Sequence, residues 1–243
     1  PHAVKRVKVS PIVSMVHDAR LVAEMISREI EVSLGLTHLN IMPLSAFAFV
    51  EQDAAVPGVG ELSSSAEVWL VMAEAAGGTL DEPKGPWQER LRDVRARVDV
   101  LAKVAAALVF MHASGVAHLD LKPPNILLGA DSEVWLADLG LASPVRTAAG
   151  SVLPSAVRGC GTPGYMAPEV AGVVSAPDGV HVRADVFSFG VTLLEALGGL
   201  SARGIQSGTV FTAFVDVASD NPDSRGGKLR ARFLEPLPPA LRG

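Results

Sequence analysis

The chain has 243 residues, 49% of them hydrophobic, enough to bury a sizeable core in one domain or two lobes. Lys and Arg total 21 against 26 Asp and Glu, a net charge of -5, so no basic field points to nucleic acid. The single Cys160 excludes an internal disulfide framework and suits a reducing compartment, and no apolar run reaches the length of a membrane span.

Ala3 to Val9 reads as a short strand with Lys5 and Lys8 interspersed. Ala19 to Leu36 has helical periodicity, with Leu21, Val22, Met25, Ile26, Ile30 and Leu34 at three- and four-residue steps. Ile41 to Val50 is apolar and strand-like, broken by Pro43, and Gln52 to Ser65 is a loop rich in Gly, Pro and Ser. Val68 to Met72 reads as a strand and Gly77-Gly78 as a turn. Leu91 to Ala113 predicts a long helix with Val94, Val98, Leu101, Val104, Ala105, Leu108 and Met111 on its buried side. Ile126 to Leu128 and Val134 to Leu136 predict a hairpin across Gly129-Ala130-Asp131. Ser143 to Arg158 reads as a mobile loop, Val186 to Leu197 as a buried helix, and Gln206 to Gly227 as irregular.

Three clusters carry chemistry, in this order: His118-Leu119-Asp120-Leu121-Lys122-Pro123-Pro124-Asn125, Ala137-Asp138-Leu139-Gly140, and Gly161-Thr162-Pro163-Gly164-Tyr165-Met166-Ala167-Pro168-Glu169. Asp120 follows an apolar helix and can accept a hydroxyl proton; Lys122 can neutralise a moving phosphoryl group. Asn125 and Asp138 offer oxygens to a hard cation such as magnesium, which takes few protein ligands. Phosphoryl transfer needs mainly positioning and charge neutralisation, which such groups supply.

Together the clusters resemble a eukaryotic-type protein kinase domain of serine/threonine type, over nearly the whole chain. The resemblance implies an α+β, two-lobed fold with a small, mostly β lobe that is partial here and a larger, mostly helical lobe. Residues 1–72 would form the small lobe, 73–79 the hinge, and 80–243 a large lobe incomplete at its end. His2-Ala3-Val4-Lys5 is similar to the family's Val-Ala-Ile-Lys strand, so Lys5 would hold the α- and β-phosphates of ATP. Glu29, ahead of His38-Leu39-Asn40-Ile41, would be its partner, with Glu24 second. Met72 would be the gatekeeper, the backbone at Glu74 and Ala75 would meet the adenine, and Ala3 and Leu127 would sandwich the ring. Asp120 would be the catalytic base, and Asn125 and Asp138 the Mg2+ ligands. Lys122, Gly161 and Thr162 fit the serine/threonine form of the substrate segment. Asp185, in Ala-Asp-Val-Phe-Ser-Phe-Gly, would brace the catalytic loop, and Glu169 would pair with an Arg in a later helix. Trp87-Gln88-Glu89-Arg90-Leu91 resembles plant receptor-like and tyrosine-kinase-like serine/threonine kinases.

The chain also departs from the family pattern. No Gly-rich phosphate loop precedes Lys5, and the last large-lobe helices are not in view, so both are expected in a longer protein or missing from it. Leu119 stands where an Arg usually grips an activation-loop phosphate, so Thr147, Ser151 and Ser155 lack that receptor. Leu139 replaces a Phe, and Ser33 stands one helical turn after Glu29, where a large apolar residue is usual.

The resemblance implies a protein serine/threonine kinase using ATP and Mg2+ on protein substrates, cytoplasmic or the cytoplasmic part of an anchored protein. No nucleic acid and no membrane contact are expected of this segment. A pseudokinase scaffold is the alternative, and a small-molecule phosphotransferase is the third reading, with no role for Ala-Pro-Glu. Cys160 reads as an incidental thiol.

Overall fold

A computed structural model describes residues 1–8, 19–50, 67–144, 161–171 and 182–198. The expectations for Gln52–Ser65, for most of Ser143–Arg158 with Thr147, Ser151 and Ser155, for Cys160 and for Gln206–Gly227 lie outside these residues.

Strand β1 (His2–Lys8) alternates exposed and half-buried positions, so Ala3, Lys5 and Val7 share the inward face. Helix α1 (Ala19–Gly35) lays Val22, Ile26 and Ile30 against Val68 and Leu70, the inward residues of strand β3 (Glu67–Ala73). Strand β2 (Leu44–Val50) completes an antiparallel sheet in the order β1-β3-β2. Its start is set by Pro43, which cannot donate to a ladder, and Ile41 instead bridges to Leu136.

A second sheet joins β4 (Gly78–Thr79), β6 (Ile126–Leu128) and β7 (Val134–Leu136), so the expected hairpin is present. Short helix α2 (Pro86–Arg90) buries Trp87, whose indole N–H donates to the Gly129 carbonyl at 2.9 Å. Gly77 is required beside it, because a Cβ there would lie 2.3 Å from the indole ring.

Helix α3 (Val94–Ala113) starts at the Asp93 cap, three residues later than the periodicity predicts. Its buried stripe is Val100, Leu101, Val104, Ala107, Leu108 and Met111, packed on β6 and β7. Val94 and Val98 are exposed, against expectation: the apolar spacing continues into a first turn that runs past the core. Leu34 at the end of α1 is likewise exposed.

Strands β5 (Val116–Ala117) and β8 (Ser143–Pro144) pair, so the segment after Leu141 begins as a strand rather than a loop, with Ser143 buried opposite Ala117. Helix α4 (Arg183–Gly198) is less buried than its composition predicts, with Val186 exposed. Its inward side — Ala184, Asp185, Ser188, Val191 and Thr192 — is mostly small or polar, and the backbone at His118 and Leu119 approaches it closely.

Candidate active site

A cleft of about 630 Å³, open mouth included, lies between the β1-β3-β2 sheet, α1 and the turns after β5 and β7. Lys5, Glu29, Met72, Asn125, Leu127 and Asp138 all line it. Leu127 points into it because its neighbours Ile126 and Leu128 turn the other way, into the core.

Lys5 Nζ donates to Glu29 Oε1 at 2.8 Å and to Asp138 Oδ1 at 2.7 Å. Glu29 is buried on α1, whereas Glu24 is exposed, so geometry selects the first candidate. Burial by itself would lower the pKa of Lys5, but the Asp138 and Glu29 carboxylates outweigh it and hold the ammonium above its ordinary value. Burial likewise works against ionised Asp138, and Lys5 overcomes it, holding the carboxyl below its ordinary value. Asp138 adopts a left-handed backbone, φ 65°, which Asp tolerates better than most residues and which turns the chain into the following 3-10 turn.

Asp120, hydrogen-bonded to the cleft residue Asn125, stands in a dense network. Its Oδ1 accepts from Thr162 Oγ1 at 2.8 Å and from the Thr162 N–H at 3.1 Å. Its Oδ2 accepts from Lys122 Nζ at 2.6 Å and from Asn125 Nδ2 at 3.2 Å. Lys122 also donates to Thr162 Oγ1 at 2.5 Å, so one ammonium ties this loop to the Gly161–Glu169 segment. Gly161 makes the approach possible: its φ is 131°, and a Cβ there would crowd Met166 at 3.2 Å. The Asn125 amide also donates to the Asp120 carbonyl at 2.8 Å, which aims its own oxygen away from Asp120.

The loop backbone is anchored by Asp185, which is fully buried. It accepts from the N–H of His118 at 2.8 Å and of Leu119 at 2.7 Å, holding Leu119 left-handed at φ 66°. That conformation costs a non-glycine residue ~1–2 kcal/mol. Leu119 itself is buried in an apolar cluster with Met166, Ala167, Val170 and Ala184. Leu139 joins the main core, and Ser33 lines the inner cleft.

Three expected nucleotide contacts are not among the lining residues. Ala3 shares the face of Lys5 but lies opposite Met72, nearer the start of β1. The N–H of Glu74 donates to the Pro1 carbonyl at 3.4 Å, continuing the pairing of β3 with β1. The ladder alternates, so it is the backbone of Ala73 that faces away from β1. Ala75 accepts from the Gly78 N–H at 2.9 Å, in a turn. Glu169 is half-buried and has no side-chain partner among the described residues.

The sequence matches the protein kinase domain family over residues 1–210. The chain belongs to the protein kinase family. It is similar to the serine/threonine-protein kinase pakE of Dictyostelium discoideum, 35% identical over 150 residues, covering 61% of this chain and 15% of that protein. It is also similar to CBL-interacting protein kinase 4 of Oryza sativa subsp. japonica, 37% identical over 145 residues, 57% of this chain and 29% of that protein. The serine/threonine-protein kinase PknB of Mycobacterium leprae (strain TN) is 32% identical over 148 residues, 58% of this chain and 22% of that protein. The kinase chain thus spans less than a third of each of these relatives. Among its described residues, no helix is long and apolar enough to cross a membrane.

Proposed function

We propose that the protein is a serine/threonine kinase transferring the γ-phosphate of ATP to hydroxyls of protein substrates. The observation that carries this reading is Lys122 bridging Asp120 and Thr162, 2.6 Å and 2.5 Å away. The bridge sets a carboxylate, a cation and the start of the Gly161–Glu169 segment around one point, beside the cleft residue Asn125. The names of the relatives support serine/threonine specificity.

On this reading residues 1–72 form the small lobe, 73–79 the hinge and 80–243 the large lobe. Lys5, held by Glu29, positions the α- and β-phosphates. Leu127 and Met72 bound the adenine slot, with the backbone at Glu74 and Ala75, the residues that follow β3, as its polar edge. Asp120 orients the acceptor hydroxyl and takes its proton, while Lys122 neutralises charge on the transferred group.

Asn125 and Asp138 fit magnesium: both present hard oxygens in the cleft, and Asp138 is held ionised by Lys5. When bound, the metal would neutralise phosphate charge and align the leaving group. A single Cys in 243 residues suits a cytoplasmic setting, in a free protein or in the inner part of an anchored one.

A scaffold that binds nucleotide without transfer is the second reading. It is favoured by the saturation of Asp120, both of whose oxygens already have donors. Transfer to a serine peptide, measured beside an Asp138→Ala variant, separates the two. The kinase reading expects turnover that falls about 100-fold or more in the variant. Nucleotide binding with no turnover in the wild type would establish the scaffold.

A further inference from the structure

We infer that the inner end of the cleft is a second small-molecule site, opened by Ser33, for a neutral ligand with an apolar body and one hydroxyl group, such as a phenol. The ligand binds beside the nucleotide and not in its place. The inference deepens the kinase reading above by naming a regulator of the same cleft, and it rests on that reading for its consequence.

Ser33 lies one helical turn after Glu29 on α1, so both side chains reach the cleft from the same face. Glu29 is engaged by Lys5 at 2.8 Å. Around Ser33 the wall is apolar: Met42, Leu44, Leu70, Met72 and Leu139. Met42, Leu70 and Leu139 are buried, so this wall is part of the packed interior.

The Ser33 hydroxyl is uncommitted. A serine or threonine within or at the end of a helix commonly donates to the carbonyl one turn back. Ser114, Ser188 and Thr192 do so, to Phe110, Ala184 and Ser188 at 2.9, 3.1 and 2.9 Å. Ser33 makes no such bond, and among the described residues it has no hydrogen-bond partner. Water on that hydroxyl finds few further partners among thioether and hydrocarbon side chains, where a well-held water needs about two to four. An apolar group displaces such water favourably, and a ligand hydroxyl at Ser33 Oγ keeps the hydrogen bond. The ligand is neutral because an anion would meet the Glu29 and Asp138 carboxylates, and a cation would be desolvated against Leu70 and Leu139. Met72 belongs both to this wall and to the adenine slot, so the two occupants touch across one side chain. A ligand there supports α1 one turn from Glu29, in the position that reaches Lys5, and so favours nucleotide binding by linkage.

The test titrates 4-methylphenol into protein carrying methyl-labelled methionine and follows the Met42 and Met72 signals by NMR. The wild type is expected to bind with about millimolar affinity, the range open to so few non-hydrogen atoms. Ser33→Leu fills the space and should weaken binding about 10-fold or more. Ser33→Ala keeps the space and removes the hydroxyl; it should weaken 4-methylphenol about 3- to 10-fold and leave toluene, which has no hydroxyl, within about twofold. Saturating ATP with Mg2+ should leave the affinity for 4-methylphenol within about threefold or raise it. Equal binding by the wild type and Ser33→Leu, no shift at Met42, or displacement by ATP would overturn the inference. If Ser33→Leu does not fold, Ser33→Ala decides, and an equal effect on 4-methylphenol and toluene contradicts the role of the hydroxyl. A wild type that binds 4-methylphenol but neither binds ATP nor transfers phosphate counts against the kinase reading alone. Normal turnover with no shift at Met42 counts against the inference alone.

Discussion

Lys5, Glu29 and Asp138 meet as side chains from three separate elements, with the Lys5 and Asp138 side chains 38% and 42% exposed. Asp185, by contrast, has no exposure and is held chiefly by two backbone N–H groups. The first cluster spans the open cleft and can reorganise when a charged ligand enters, since water and side-chain rotation accommodate the change. The second is locked to main chain and cannot move without moving the loop. The kinase site is thus an adjustable charge triad facing a rigid loop, and the rigid part should carry more of the fold.

Removing the rigid anchor should give the largest effect. Asp185→Ala leaves two buried N–H groups without an acceptor, at roughly 1–3 kcal/mol each. Denaturant unfolding should show a loss of about 2–5 kcal/mol together with near-complete loss of turnover. A stable, active variant would erase the contrast between the clusters.

Lys5→Met should act on the adjustable cluster, lowering kcat/KM for ATP on the order of 100-fold while shifting the melting temperature little. A collapse of stability there would mean the open triad holds the fold as well. Ser33→Leu sharpens the comparison in the other direction. Ser33 lines the inner cleft with Met42, Leu44, Leu70, Met72 and Leu139, so a larger apolar side chain should stabilise by about 1 kcal/mol, read by calorimetry. Destabilisation would show that the inner cleft has no room for it.

The smallest effect concerns pH. Asp138 is depressed below its reference of 3.8, so its contribution is present above that value and fades as pH falls through the lower folded value. Lys5 is raised above 10.5, so its contribution is present below that value and fades as pH rises through the higher folded value. Stability from this triad should be flat between those limits, and both groups are exposed enough for the fall at either side to be shallow. In a Lys5→Met background the acid arm should weaken; an unchanged acid arm would remove Asp138 from the triad's energetics.

Local chemistry was legible and long-range geometry was not. Asp120, Lys122 and Asn125 lie within six residues, and their types alone suggest a phosphoryl-transfer loop. Lys5 and Glu29 are 24 residues apart, so in the sequence only the family resemblance pairs them; in the fold they meet at 2.8 Å. The contact of His112 with Asp185 leaves no local pattern in the sequence, because the two lie on different helices. The backbone at Glu74 and Ala75 is placed at the adenine by the family resemblance alone; residue type does not report that the Glu74 N–H pairs with the Pro1 carbonyl. Val94 and Val98 keep the apolar spacing of α3 beyond the core, where periodicity no longer reports burial.

The central claim is that Asp120 works as a base in an assembled kinase site. The direct measurement is the single-turnover rate of γ-phosphate transfer to a serine peptide by the wild type and by Asp120→Asn, with ATP affinity measured in parallel. The account predicts measurable transfer in the wild type and a rate lower by about 100-fold or more in the variant, at unchanged ATP affinity. Equal rates in the two proteins, or no transfer by a wild type that binds ATP, would contradict it.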